Sequence, residues 1–193
     1  MRTFIAIPLP PECQSILGQM QQELRACGAE VRWAAIPSIH LTLKFLGEVD
    51  PAMIPKLAEC LAAVSESERG VPLRVHGLGC FPNQKSPRVL WCGIDGDMGA
   101  LARLHQKVDQ ACGRLGFPPE TREFKPHLTL GRVRGKRNLQ PLMECIKIGS
   151  GLERSFKADH FNVYQSTLKP QGAVYTVLKT VILRDQGQTV STK

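Results

Sequence analysis

The four-residue phrase His-Leu-Thr-Leu occurs twice in this chain, at residues 40–43 and 127–130. Each copy sits in an apolar run of strand composition, over 39–46 and 127–133. Side chains alternate between the two faces of a strand. In each copy, therefore, the His and the Thr share one face and the two leucines share the other. The leucines are suited to burial under helices, which leaves His and Thr facing open space. One such match carries little weight, but two identical ones read as two halves of one site.

Two imidazoles suit general acid–base catalysis near neutral pH, because their unperturbed pKa is roughly 6.5. A neutral one takes a proton from a nucleophile, and a protonated one gives a proton to a leaving oxygen. Each Thr hydroxyl, two residues on, can donate to a negatively charged oxygen held between the histidines. Phosphate fits this set, since it accepts several such bonds and builds up charge in the transition state. No metal and no cofactor is called for. Neither motif offers a carboxylate or Cys at zinc-ligand spacing. No G-x-S-x-G, phosphate-binding G-x-x-x-x-G-K-[ST] or dinucleotide glycine pattern occurs. His76, His105 and His160 stand alone and read as structural or solvent-facing.

Elements of both kinds are needed to position the motifs. Strands are expected over 3–9, 31–36, 39–46, 73–81, 88–94, 127–133, 155–165 and 173–183. Amphipathic helices are expected around Ile16, Leu17, Met20 and Leu24, from near Met53 through Leu57, Leu61 and Val64, and around Leu101, Leu104, Val108 and Ala111. A shorter helix is expected over 139–148. Gly28 and Gly116 are plausible helix stops, and Asp50 and Asp97 plausible N-caps. Residues 65–70 and 82–87 read as loops, 134–137 as a short basic loop, and 185–193 as a polar tail. Residues up to Ile94 and those after it each carry one motif strand and a long helix. The expected class is α+β, with two similar lobes sharing one cleft in a single domain over 1–184.

The chain has 193 residues, 25 Lys plus Arg against 17 Asp plus Glu, and a formal net charge of +8. That balance favours polyanionic partners such as RNA and nucleotides. The seven cysteines are scattered and form no C-x-x-C. They read as reduced, small apolar residues rather than a disulfide framework or zinc site. The N-terminal apolar run is short and ends in prolines, and no stretch reaches the length of a membrane span. The expectation is a cytoplasmic protein with no membrane partner.

The doubled motif, with its flanking residues, resembles the 2H phosphoesterase superfamily, and within it the RNA 2′,3′-cyclic phosphodiesterases historically called 2′-5′ RNA ligases. The likeness covers nearly the whole chain. It includes Arg2-Thr3-Phe4-Ile5-Ala6-Ile7-Pro8-Leu9, Arg32-Trp33 and His40-Leu41-Thr42-Leu43-Lys44-Phe45-Leu46-Gly47. It continues in Phe124-Lys125-Pro126-His127-Leu128-Thr129-Leu130-Gly131-Arg132, in Ser166-Thr167-Leu168, and in Gly172 and Tyr175. The resemblance implies a bilobal α+β fold, with two antiparallel or mixed sheets and outer helices, facing each other across a central cleft. It also implies hydrolysis of RNA 2′,3′-cyclic phosphate ends, or of small cyclic nucleotides, to 2′-phosphates. By position, His40 would be the proton donor and His127 the proton acceptor, with Thr42 and Thr129 on the phosphate. The residues alone do not assign the two histidine roles.

Phe45 and Arg132 both stand five residues after their His. Strict alternation turns both away from the His face unless the strand bends. With a bend, Arg132 reaches phosphate and Phe45 supports a base; otherwise Phe45 belongs to the core. Lys44 shares the His40 face under strict alternation, as an RNA contact or a solvated edge charge. A monomer is expected. Two other readings stay open: 2′-5′ ligation of RNA ends in the same site, and a non-catalytic nucleotide- or RNA-binding module.

Overall fold

A computed structural model describes residues 1–170 and 172–185. Its strands are β1 (Arg2–Pro8), β2 (Val31–Trp33), β3 (His40–Glu48), β4 (Val71–Phe81), β5 (Val89–Gly96), β6 (His127–Val133), β7 (Glu153–Ala158), β8 (His160–Lys169) and β9 (Gly172–Ile182). Its helices are α1 (Pro11–Arg25), α2 (Ile54–Ser67), α3 (Met98–Gly113) and α4 (Leu139–Ile148). The strands form two sheets, one ordered β3-β1-β8-β9 and the other β2-β6-β5-β4-β7. Every pairing within them is antiparallel. The class is α+β, with two sheets and outer helices about one cleft.

The two lobes are not the two halves of the sequence. The first sheet joins β1 and β3 to β8 and β9, and the second joins β2, β4 and β5 to β6 and β7. Each motif strand opens an equivalent run of four strands, β3-β1-β8-β9 and β6-β5-β4-β7. The helices are exchanged as well. α1 follows β1 yet packs against β7 and α4 of the other lobe, while α3 follows β5 yet packs against β3 and α2. Symmetry between the lobes is thus built by interleaving the chain.

Local chemistry explains the starts of α2 and α3. Asp97 caps α3, its Oδ1 accepting from the Ala100 amide at 2.8 Å. Asp50 caps a 3₁₀ turn, Pro51–Met53, so that α2 begins at Ile54 and holds Pro55 in its first turn. Three expectations are corrected. The strand expected over 31–36 stops at Trp33, and Ile36–Ser38 winds into a 3₁₀ turn around Pro37. The loop expected from residue 65 begins later, since α2 runs to Ser67 with the Ser65 and Ser67 hydroxyls donating back to the Ala62 and Val64 carbonyls. The strand expected over 155–165 is two strands in different sheets. β7 pairs with β4 and β8 with β1 and β9, and the chain changes sheet at Asp159. The polar tail expected over 185–193 lies, from residue 186 on, outside the described residues.

Leu41, Leu43, Leu128 and Leu130 are all 3% exposed or less and belong to the core between sheets and helices. Each such burial contributes about 1.5–3 kcal/mol. Cys13, Cys92 and Cys112 are fully buried in the same core, and burial pushes the Cys92 and Cys112 thiols up to about 12. All seven cysteines are free, and Cys27, Cys60, Cys80 and Cys145 are only partly buried. Among the described residues no helix is long and apolar enough to cross a membrane.

Candidate active site

Strand register fixes which side chains share the cleft face. On β3, His40 pairs with Pro8 and Thr42 with Ala6 of β1; Lys44 then pairs with Ile5 and Phe45 with Phe4. Leu43 has no partner and is the extra residue of a β-bulge. On β6, His127 pairs with Gly93 and Thr129 with Trp91 of β5, then Gly131 with Leu90 and Arg132 with Val89, leaving Leu130 as the extra residue. Each bulge adds one residue and resets the alternation. Phe45 and Arg132, five residues after their histidines, return to the cleft face with His and Thr.

The same reset corrects the reading of Lys44. It is 5% exposed and turned toward the helices, where its Nζ donates to the Asp109 carboxylate of α3 and to the Pro118 carbonyl at 2.9 Å. It is neither an RNA contact nor a solvated edge charge. Burial pushes the Asp109 carboxyl up, but the bonds from Lys44 and the Glu120 amide and the charges of Lys44 and His105 outweigh it. The group is held below the usual carboxylate range.

Both motif histidines are anchored alike. His40 Nδ1 lies 2.8 Å from the Ser38 carbonyl oxygen, and His127 Nδ1 lies 2.7 Å from the Lys125 carbonyl oxygen. A carbonyl only accepts, so each Nδ1 carries the proton. Each Nε2 is left as the nitrogen that takes up or gives a proton. The carbonyl belongs in both cases to the residue two before the histidine. Thr42 and Thr129 are part-exposed, and among the described residues neither hydroxyl has a hydrogen-bond partner.

Aromatic side chains hold the rings. Phe4 stacks on His40 at 4.7 Å between centroids, Tyr175 meets it edge-on at 5.2 Å, and Tyr164 lies 5.1 Å from Phe4 and 6.2 Å from His40. Phe81 meets His127 edge-on at 4.9 Å, and Trp91 lies against Phe81. Burial among these rings lowers the His40 pKa below its ordinary 6.5, partly offset by the bond to Ser38. His40 lines a pocket of about 440 Å³ with Tyr164, Tyr175 and Ser38. His127 is not part of that pocket's wall. It lies on the other sheet, whose strand β6 runs within 8 Å of β3 between Cα atoms.

Phe45 is 66% exposed, with its ring 6.1 Å from Phe4 on the cleft face, so it is not core. Arg132 is exposed at the equivalent position on the other sheet. The remaining histidines lie apart from the motif pair. His105 stacks on Phe124 at 3.9 Å, His76 stands 3.8 Å from Asp95, and His160 is bonded to Asp159.

Periodicity and motif spacing did not reveal Phe4, Tyr164, Tyr175, Phe81 and Trp91 as neighbours of the pair. Nor did they reveal Asn162, whose Nδ2 donates to the Tyr164 hydroxyl at 2.9 Å. Among the described residues two buried polar atoms have no partner, Trp91 Nε1 and Asn162 Oδ1. They occupy the cross-strand rows of the two threonines, since Trp91 pairs with Thr129 and Asn162 with Ala6, itself paired with Thr42. A buried donor and a buried acceptor left open in those rows suit a polar guest or ordered water. Only cross-strand register could have revealed these neighbours.

The chain is similar to known proteins in sequence and fold. The profile of the LigT like Phosphoesterase family matches residues 7–91 and 94–175. The RNA 2′,3′-cyclic phosphodiesterase of Aeropyrum pernix is 32% identical over 173 residues, spanning 89% of this chain and 97% of that protein. The enzyme of the same name from Thermotoga maritima is 34% identical over 179 residues, spanning 92% and 93%. Among solved structures, TT0787 of Thermus thermophilus superposes with a TM-score of 0.81 at 30% identity, covering 96% of this chain and all of that one. E. coli LigT complexed with 3′-AMP gives a TM-score of 0.76 at 27% identity, covering 94% and 97%.

Proposed function

The chain belongs to the LigT-like phosphoesterase family, and from that membership we propose that it hydrolyses RNA 2′,3′-cyclic phosphate ends to 2′-phosphates by metal-independent, two-histidine catalysis. In this reading His127 Nε2 takes a proton from water as the water oxygen attacks phosphorus. The P–O3′ bond breaks, and His40 Nε2 gives its proton to the departing 3′ oxygen. Thr42 and Thr129 donate to the non-bridging oxygens as charge grows on them. Arg132 adds a guanidinium to the phosphate side, and Phe45 offers a face for a base to stack on. The working unit is the single bilobal domain over 1–184, acting as a cytoplasmic monomer.

One observation carries the reading: both histidines tie Nδ1 to a carbonyl two residues upstream and leave Nε2, with an unpartnered Thr hydroxyl two residues on, at equivalent places in two lobes. Binding alone would need donors but no pair of titrating nitrogens. The lowered pKa of His40 leaves it largely neutral in the free protein at pH 7. A cyclic phosphate monoanion beside the ring favours the charged form and restores the donor proton.

The test is product analysis on a 2′,3′-cyclic-phosphate-ended oligonucleotide in EDTA. The expected result is conversion to the 2′-phosphate. A strict requirement for added divalent metal, or a 3′-phosphate product, overturns the proposal.

A further inference from the structure

Cys27 and Cys145 have no part in the chemistry above. Their Sγ atoms lie 2.7 Å apart, although 118 positions separate the two residues along the chain. Cys27 follows the end of α1, and Cys145 stands in the last turn of α4. Both are partly buried against the rim of the core, so solvent reaches the pair. The contact is one weak S–H hydrogen bond between two otherwise apolar thiols.

The backbone on both sides is fixed. The Cys27 amide donates to the Leu24 carbonyl at 3.3 Å, and the Gly28 amide to the Arg25 carbonyl at 3.0 Å. The Gly28 carbonyl accepts from Nδ2 of Asn138, the N-cap residue of α4, at 3.2 Å. The Cys145 carbonyl accepts from the Gly149 amide at 3.0 Å where α4 ends. The sulfurs are thus held in place by the ends of two helices. Bonding them means closing this contact to about 2.05 Å, a movement of well under an ångström. α1 in turn backs the second motif strand, since Gln21 Nε2 donates to the carbonyls of Ala34 and of Leu130, the extra residue of the β6 bulge.

We propose that Cys27 and Cys145 form a reversible dithiol–disulfide pair, closed by exchange with a low-molecular-weight disulfide, that fastens α1 to α4. One protein thiol loses its proton and its sulfur attacks a sulfur of the small disulfide, whose S–S bond breaks and releases one small thiol. The second protein sulfur then attacks the first, forming the internal bond and releasing the other small thiol. Two protein thiols are oxidised, one small disulfide is reduced to two thiols, and the two protons end on those thiols. Burial and the adjacent Cys145 thiol push the Cys27 thiol up to about 11. The exchange is therefore slow near neutral pH, and the pair follows the standing redox potential rather than brief pulses of oxidant. Under reducing conditions it stays open. The inference is independent of the cyclic phosphodiesterase reading.

The experiment incubates the full chain for a day at about pH 8, where more of each thiol is ionised, in glutathione buffers of rising disulfide content. Free thiols are then blocked with N-ethylmaleimide, and the products are read by peptide mass spectrometry without reduction. The expected result is a single bridge joining the Cys27 and Cys145 peptides, with Cys13, Cys92 and Cys112 still alkylated once the chain is unfolded. Closing so long a loop should raise the melting midpoint by about 4–15 °C, and dithiothreitol should reverse the rise. Cys27→Ser and Cys145→Ser should each lose both the bridge and the oxidant-dependent rise, whereas Cys60→Ser should keep both.

Seven alkylated cysteines in the most oxidising buffer overturn the proposal. So does a bridge between any other two cysteines, or glutathione left attached to Cys27 or Cys145 with no internal bond. A Cys27–Cys145 bridge that leaves the midpoint unchanged overturns the fastening of α1 to α4.

Discussion

Leu43 and Leu130 stand at equivalent points of the two lobes: each is the unpaired residue of a β-bulge, three positions after its motif histidine. Both side chains remain buried. The Leu130 carbonyl is satisfied twice, by the Ala34 amide at 2.9 Å and by the buried Gln21 side chain at 2.9 Å. Because of the bulges, the residue after each leucine faces the helices and the next one faces the cleft. One geometric device thus sets the orientation of Lys44, Phe45, Gly131 and Arg132 together. Gly131 is suited to its place, since a Cβ there would meet Val31 Cγ1 at 2.7 Å.

Lys44 is consequently a structural residue, and its loss should be read in stability. Its side chain is 4% exposed and that of Asp109 is 19% exposed. Lys44→Ala leaves the carboxylate largely buried without its cation, a change that costs about 3–5 kcal/mol. For a chain of this size the melting midpoint should fall by about 6–20 °C. The Asp109 carboxyl is held low in the folded protein, so its stabilising contribution is present above its unfolded pKa and is lost as pH falls through the folded one. Lys44→Ala should weaken that acid-side loss. KM for a cyclic-phosphate substrate should stay within about twofold at temperatures where the variant is folded. A raised KM with an unchanged midpoint would return Lys44 to the substrate.

His40→Ala and His127→Ala should each lower kcat by about 10²–10⁴, the range for losing a general acid or base. The double variant should be little worse than either single one, because the two rings act on one transition state. Single-turnover rates on a cyclic-phosphate-ended RNA measure this. Near-full activity in either single variant would remove the two-histidine mechanism.

The role of His40 is open to a pH test whose sign is fixed in advance. Burial sets its folded pKa below 6.5. If it donates the proton, the residual rate of His127→Ala should fall as pH rises through that lowered pKa in kcat/KM. In kcat the same limb should move to higher pH, since bound phosphate favours imidazolium. A residual rate that rises with pH over this range would make His40 the base. Stability has its own sign. A His whose folded pKa is lowered binds fewer protons than the unfolded chain in acid, so His40 destabilises the fold as pH falls below about 6.5. His40→Gln should lessen that loss in melting curves between about pH 7 and 5.

Much of this site was legible in the chain. His40, Thr42, His127 and Thr129 share the cleft face because alternation over four residues needs no more than a period of two. The leucines between them are buried for the same reason. Beyond the fourth residue the alternation misplaced Lys44, because nothing in Leu-Lys-Phe or Leu-Gly-Arg marks an extra residue; a bulge is a property of the pairing, not of one strand. The sheet switch at Asp159 was hidden likewise, since residues 155–165 have strand composition on both sides of it. The lobes were expected as sequence halves because each half carries a motif and a helix, whereas the exchange of α1 and α3 is decided by tertiary packing.

Phe45 gives the sharpest separation of binding from folding. Its side chain is 66% exposed yet lies over Phe4, which itself stacks on His40. An exposed ring of this kind adds little to stability, so Phe45→Ala should change the unfolding free energy by no more than about 0.5 kcal/mol. If a base of the RNA end stacks on it, the lost contact is worth about 1–3 kcal/mol. KM for a cyclic-phosphate-ended oligonucleotide should then rise about 5- to 150-fold with kcat nearly constant, and Phe45→Tyr should restore most of the affinity. Chemical denaturation and steady-state kinetics on the same preparations check both halves. Loss of stability with KM unchanged would place Phe45 among the packing residues and leave the base without its platform.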